Sequence, residues 1–188
     1  MTDQKHFDLG EAIAILSRGP ATFSALLRDL PDNWVRSNEG THDGKPTWNP
    51  HGIVGHLVYV ERFDWMRRVR IVLDHGELRP FEPLDRFAML KEFQDKSLDR
   101  LLHEFAQQRS ENLAALEALN LQSEDLAKRG THPAFGPVTL SQLLATWTTH
   151  DFTHLHQLSR VLAHQYREAV GPWSAYLGVL HCNGHSAA

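Results

Sequence analysis

His150 and His154 stand four residues apart, the spacing that puts two imidazoles on one face of an α-helix. With 13 histidines in 188 residues, chance alone supplies roughly one such pair. A second pair, His181 and His185, lies in a glycine-containing tail and reads as surface. The position of His150 and His154 within the apolar pattern sets them apart. At about 100° per residue, Leu140, Leu143, Trp147, His150, His154, Leu158 and Val161 share an arc of roughly 80°. Two successive core positions of an otherwise apolar stripe are therefore imidazoles. A buried imidazole needs its nitrogens bonded, and an unpaired one costs about 1–3 kcal/mol. Neighbouring rings on one face need a shared partner. A divalent cation is the simplest, and a pair of hydrogen-bonded core histidines is the alternative. His56 is the candidate third ligand, on an inward-facing stripe with Ile53, Val60 and Phe63 of another helix.

Three neutral histidines leave the full charge on a divalent ion and, in a tetrahedral zinc site, one open position. Water there would have its pKa lowered to about 7, making metal-bound hydroxide available as a nucleophile. A thiol there would lose its proton. The lone cysteine, Cys182, sits in the closing segment and is not expected to be that thiol. An all-histidine set suits Zn, Ni, Cu or Fe. Glu61 and Asp151 lie near the stripes as candidate orienters or general bases. Ion pairs to an arginine such as Arg68 or Arg109 are the preferred reading of both, so no catalytic residue is assigned. Other chemistries lack their signatures. There is no phosphate-cradling glycine loop and no Gly-x-Ser-x-Gly elbow, Gly130 and Gly136 read as a loop pair, and the Trp and Phe residues at helical spacing read as core.

The elements that must position these side chains are helical, and no segment reads as a convincing strand. Leu9 to Leu30 is amphipathic, interrupted at Gly19-Pro20 and stopped by Pro31-Asp32-Asn33. Arg36 to Thr47 is rich in turn formers and reads as a loop. A long helix is expected from about Trp48, with Thr47 or Asn49 as cap and Pro50 in the first turn, to His75 before Gly76. Pro80 to Pro83 is an extended connector, and Leu84 to Phe93 a short helix. A third long helix covers Leu98 to Asn120, and Thr131 to Pro137 is a loop. The fourth opens with the capping box Thr139-Leu-Ser-Gln142 and runs to about Arg167. Val170-Gly171-Pro172 breaks it, Trp173 to Leu180 forms a short closing helix, and the tail from Cys182 frays. These expectations amount to one all-α domain over residues 1–188, a four-helix bundle with a crossover connection and short extra helices.

Composition agrees and excludes alternatives. The chain is 41% hydrophobic and 22% charged, with a formal net charge of −4, which fits a soluble globular domain and supplies no basic surplus for nucleic acid. One cysteine rules out a disulfide scaffold and a thiolate zinc cage. No stretch approaches the ~18 apolar residues of a membrane span, and Met1 to Gly10 has no apolar stretch of a signal peptide. A cytoplasmic protein that engages neither membrane nor nucleic acid is expected.

The combination Trp48-x7-His56-Leu-x3-Glu61 with Thr-Leu-x2-Leu-Leu-x5-His150-Asp-x2-His154-Leu-x-Gln157 resembles the DinB-like superfamily, in its YfiT-like branch. Pro80-Phe-Glu-Pro-Leu-Asp-Arg86, Phe105-x3-Arg109 and Gly130-Thr-His-Pro-x2-Gly136 resemble that branch too, so the likeness covers nearly the whole chain. The resemblance implies a four-helix bundle with a crossover connection and a divalent metal, zinc or nickel, on the triad His56, His150 and His154. It also implies frequent homodimers. Some members of the family resemble low-molecular-weight thiol transferases using bacillithiol, mycothiol or glutathione; others resemble metal-dependent hydrolases. The expected function is a metal-dependent transfer of a small thiol to a small-molecule electrophile. Hydrolysis by metal-bound hydroxide is the alternative, and a non-enzymatic stress-related binding module with a structural metal is the third reading.

Overall fold

In the computed structural model, residues 6–42, 45–84 and 92–182 are described. The first amphipathic segment forms α1 (Leu9–Leu16) and α2 (Gly19–Leu27). Asp8 caps α1, its carboxylate accepting from the Glu11 amide at 2.8 Å. Pro20 occupies the first turn of α2, where its missing N–H leaves no bond unmade. A five-residue helix, α3 (Asp32–Arg36), follows where the sequence shows only a stop. The second long segment forms α4 (Pro50–Phe63) and α5 (Trp65–His75). Asn49 caps α4 by accepting from the Gly52 amide at 2.8 Å, and Gly76, at φ 58°, closes α5. The two are parts of one helix broken at Asp64, whose φ and ψ are −120° and −70°. Aspartate competes with the backbone in mid-helix, and this one turns its carboxylate to Arg68, at 2.6 Å.

The third long helix, α6 (Leu98–Ala118), is capped by Ser97 and gives way at Asn120, which takes the left-handed φ of 47°. A four-residue helix, α7 (Ser123–Leu126), leads towards the fourth long helix, α8 (Leu140–His164). Its capping box forms as expected, the Thr139 amide donating to Gln142 Oε1 at 2.9 Å and the Gln142 amide to Thr139 Oγ1 at 3.2 Å. The α1/α2 segment packs on α6 and α8, and the α4/α5 segment packs on the same two. The first and second long segments are thus diagonal partners in the bundle, and so are the third and fourth. The connections from the first to the second segment and from the third to the fourth therefore join diagonal partners, whereas the second and third are neighbours.

The absence of strands is not upheld. Inside the expected 36–47 loop, β1 (Thr41–His42) pairs antiparallel with β2 (Lys45–Pro46). Inside the expected 131–137 loop lies a hairpin of β3 (Arg129–His132) and β4 (Gly136–Thr139), with Gly130 opposite Val138 and His132 opposite Gly136. Gly130 is no loop glycine: a Cβ there would lie 2.8 Å from Val72 and 2.9 Å from the Phe81 ring. These strands are short and carry Gly and Pro, which strands ordinarily avoid, so no alternating pattern marks them. Their role is positional, since β4 ends at the residue that caps α8. The fourth helix stops at His164, not Arg167, and the closing segment is 3₁₀ turns over Gly171–Tyr176 and Gly178–Leu180 rather than an α-helix. The expected helix over 84–93 falls largely outside the described residues, with Glu92 and Phe93 helical. Among the described residues no helix is long and apolar enough to cross a membrane.

The core comes in two apolar clusters with a polar layer between them. One gathers Leu16, Trp65, Val69, Leu113, Leu116, Leu143 and Trp147; the other gathers Phe23, Leu27, Ile53, Leu57, Leu101, Phe105, Leu158 and Val161. Each long segment changes from one cluster to the other along its length, and at the change stand Gly19, Glu61, Arg109 and the run from His150 to His154.

Candidate metal centre

The three histidines singled out from the sequence converge. His56 Nε2 and His154 Nε2 each lie 3.1 Å from His150 Nε2, and one nitrogen from each ring falls within 4.8 Å of the others. Helix α4 supplies His56 and α8 supplies the other two, one turn apart. His56 and His154 are buried, whereas His150 is half-buried. The stripe on α8 is otherwise buried as its periodicity requires, from Leu140 to Val161.

Imidazole nitrogens at 3.1 Å present hydrogens or lone pairs to one another, and a single proton can bridge only one such contact. A cation among them satisfies all three. Zinc bound tetrahedrally at about 2.0–2.1 Å from each nitrogen sets neighbouring nitrogens about 3.3–3.4 Å apart, close to what is found. Tautomer control points the same way. His154 Nδ1 donates to Gln157 Oε1 at 2.9 Å, which leaves the Nε2 lone pair aimed at the other two rings. The residues fit a divalent ion by donor type, spacing and orientation. Two tryptophans wall the group, Trp48 with ring centroids 4.9 Å from His56 and Trp65 at 5.1 Å from His150.

Glu61 and Asp151 do not join the triad, and Arg109 engages both. Arg109 Nη1 and Nη2 donate to Asp151 Oδ2 and Oδ1 at 2.7 and 2.8 Å, a bidentate pair. Arg109 Nε donates to Glu61 Oε1 at 2.9 Å, and Nη1 also reaches the Leu16 carbonyl at 2.8 Å. The remaining capacity of Glu61 is taken by Trp147 Nε1, at 2.9 Å, and Asn112 Nδ2, at 2.8 Å. Burial is the largest influence on the Arg109 guanidinium and pulls its pKa down, but the hydrogen bonds and charges of Asp151 and Glu61 together hold it above its ordinary value. Arg68, the other arginine considered, pairs with Asp64 instead. Burial pushes the Asp64 carboxyl up to about 6 against the pull of Arg68.

The Gln157 contact with His154 is one that periodicity does not reveal; only its place in the motif marks it. His51, also buried, stands apart from the triad and donates its Nε2 hydrogen to the Lys96 carbonyl at 2.8 Å, with burial lowering its pKa. Of the tail pair, His181 donates to the Ser174 carbonyl, and His185 is outside the described residues. Cys182 lies in the closing turns.

Fold and site together define a four-helix bundle with a three-histidine cluster, able to hold a metal, set between two helices. The chain belongs to the DinB superfamily, whose profile matches residues 15–158. Among solved structures it is similar to YfiT from Bacillus subtilis, described as a probable metal-dependent hydrolase with an unusual four-helix bundle topology. That likeness has 17% identity over 90% of this chain and 94% of the other, with a TM-score of 0.70. No curated protein matches the sequence.

Proposed function

We propose that this chain binds zinc or nickel through His56, His150 and His154 and uses it to activate a low-molecular-weight thiol for attack on a small electrophile. The observation that carries the metal is the approach of three ring nitrogens, two of the contacts at 3.1 Å, with one tautomer set by Gln157. A divalent ion held by three neutral imidazoles supplies positive charge that acidifies a nucleophile in its remaining position. The surrounding residues bear on which nucleophile that is. Glu61 and Asp151 are saturated by Arg109, Trp147 and Asn112, so neither is available to take a proton. Held by the ion, a thiol is deprotonated outright, whereas bound water, with its pKa lowered to about 7, is only about half ionised at neutral pH, so the thiol depends less on a base. Trp48 and Trp65 keep the group between apolar faces.

Hydrolysis is the second reading, and the description of the Bacillus subtilis protein favours it. The two separate in one experiment: metal-loaded protein is incubated with glutathione, bacillithiol or mycothiol and an epoxide or halogenated acceptor, and in parallel with ester and amide substrates. Metal-dependent conjugation that His154→Ala abolishes supports thiol transfer. Thiol-independent cleavage with a metal-dependent pKa near 7 supports hydrolysis instead. Neither activity, with a closed coordination sphere around the ion, would leave a binding module with a structural metal.

A further inference from the structure

We infer that Arg109 is a positioning residue for the histidine triad, setting the register between the helix that carries His56 and the helix that carries His150 and His154. This rests on the reading of the triad as a metal site and adds to it a residue that belongs to neither helix. Arg109 projects from α6 into the polar layer and is 1% exposed. Its three nitrogens are all committed. Two grip Asp151, the residue next to His150, and the third holds Glu61, just over one turn beyond His56 on α4. A further bond to the Leu16 carbonyl ties in the end of α1. The bundle thus has a cross-brace whose ends lie on the two helices that must bring the rings together.

Apolar packing on either side of this layer does not specify register to the same degree. Ridges of Leu and Val on facing helices tolerate small slides, because their contacts are non-directional. A guanidinium fork on a carboxylate is directional, so sliding α8 along α4 breaks bonds on one side or the other. The brace is also closed from the first segment. A Cβ on Gly19 would lie 3.1 Å from Arg109 Nη1 and collide with the Asp151 carboxylate. Buried ion pairs contribute little net stability compared with apolar groups of the same shape. Stability alone therefore gives no reason for two carboxylates and a guanidinium at this level, whereas alignment of the triad does. Phe105 and Trp147 cover the guanidinium, with ring centroids 5.0 and 5.6 Å from Cζ, and hold it in place.

The test compares full-length wild type with three variants: Arg109→Lys, Asp151→Asn, and Arg109→Met combined with Glu61→Gln and Asp151→Asn. The triple variant leaves no charge stranded in the layer, so it can fold without the brace. Three signals are read: the ¹⁵N shifts of the His56 and His150 rings in metal-free protein, the affinity for Co²⁺, and the visible spectrum of bound Co²⁺. The expected result is a folded triple variant with displaced ring signals, Co²⁺ affinity lowered about tenfold or more and an altered spectrum, with the same changes in Arg109→Lys. Ring signals, spectrum and affinity within twofold of wild type would overturn the inference, as would full function in the lysine variant, because a point charge lacks the fork. Should the triple variant not fold, Asp151→Asn alone is judged by the same signals. Failure of the wild type itself to bind Co²⁺ would sink the metal reading, and the metal-free ring shifts would still decide whether Arg109 aligns the histidines.

Discussion

Gly19 and Asp151 are packed so closely that one added carbon does not fit: a Cβ on Gly19 would run into the Asp151 carboxylate and press on Arg109. Glycine within an exposed helix normally costs about 0.5–1 kcal/mol relative to alanine. Here the sign reverses. Gly19→Ala is expected to lower stability by about 1–3 kcal/mol, the range for overpacking a filled interior. Urea unfolding would show a lower midpoint at unchanged slope. Because the clash is with the brace, metal affinity should fall with it. A stabilised variant would show that α2 can move aside and that the layer is looser than its distances imply.

The contrast between what local pattern reveals and what it conceals follows from how each contact is made. His150 and His154 stand out because they interrupt a stripe of Leu, Trp and Val with a period of 3.6 residues. Asn49, Gly76 and the Thr139–Gln142 box mark helix ends through bonds spanning three or four residues. Such signals are local and survive in the sequence. The union of Glu61, Arg109 and Asp151 joins residues more than forty positions apart, and nothing near Arg109 says which carboxylates it meets. Arg68 looks as good a partner and is spent on Asp64. The β3–β4 hairpin hides for a different reason. Its strands are four residues long, and Gly130 is required by the closeness of Val72 and Phe81, not by a turn. The diagonal placement of the first and second segments, and of the third and fourth, likewise depends on contacts between distant parts of the chain, which have no periodicity to read.

Gln157 is the accessible test of tautomer control. Its Oε1 accepts from His154 Nδ1 at 2.9 Å, and Gln157→Leu keeps the bulk while removing the acceptor. Loss of such an outer partner typically lowers metal affinity by about 10–100-fold. Competition against a chelator of known affinity should report that loss, with the thermal midpoint of metal-free protein close to wild type. Unchanged affinity would mean that His154 is oriented by packing against Trp48 alone.

The tryptophan walls provide an optical reporter of where the ion sits. Trp48 and Trp65 contact His56 and His150, whereas Trp173 is 70% exposed in the closing turns. Titration with Cu²⁺ or Co²⁺ should quench part of the intrinsic fluorescence at one ion per chain. Trp48→Phe and Trp65→Phe should each remove a share of that quench, and Trp173→Phe none. His154→Ala should abolish it at stoichiometric metal. Quench that survives His154→Ala would locate the ion elsewhere, the exposed His181 being a natural competitor.

Asp64, at the break between α4 and α5, makes stability fall as pH rises. Its carboxyl is pushed from 3.8 to about 6 by burial, against the pull of Arg68. Between those values the folded protein retains a proton that the unfolded chain has released, so each step up in pH favours unfolding. The effect begins near pH 4, is complete a little above pH 6 and is flat beyond. A shift of this size corresponds to a loss on the order of 2–3 kcal/mol. Asp64→Asn preserves shape and does not titrate, so the difference between metal-free wild type and variant isolates this group from every other carboxylate. Relative to the variant, wild type should lose stability on going from pH 4 to 7, measured by urea unfolding at each pH. The opposite slope would mean that the Arg68 ion pair outweighs burial, with the carboxylate charged throughout and Asp64 serving as a strut at the helix break.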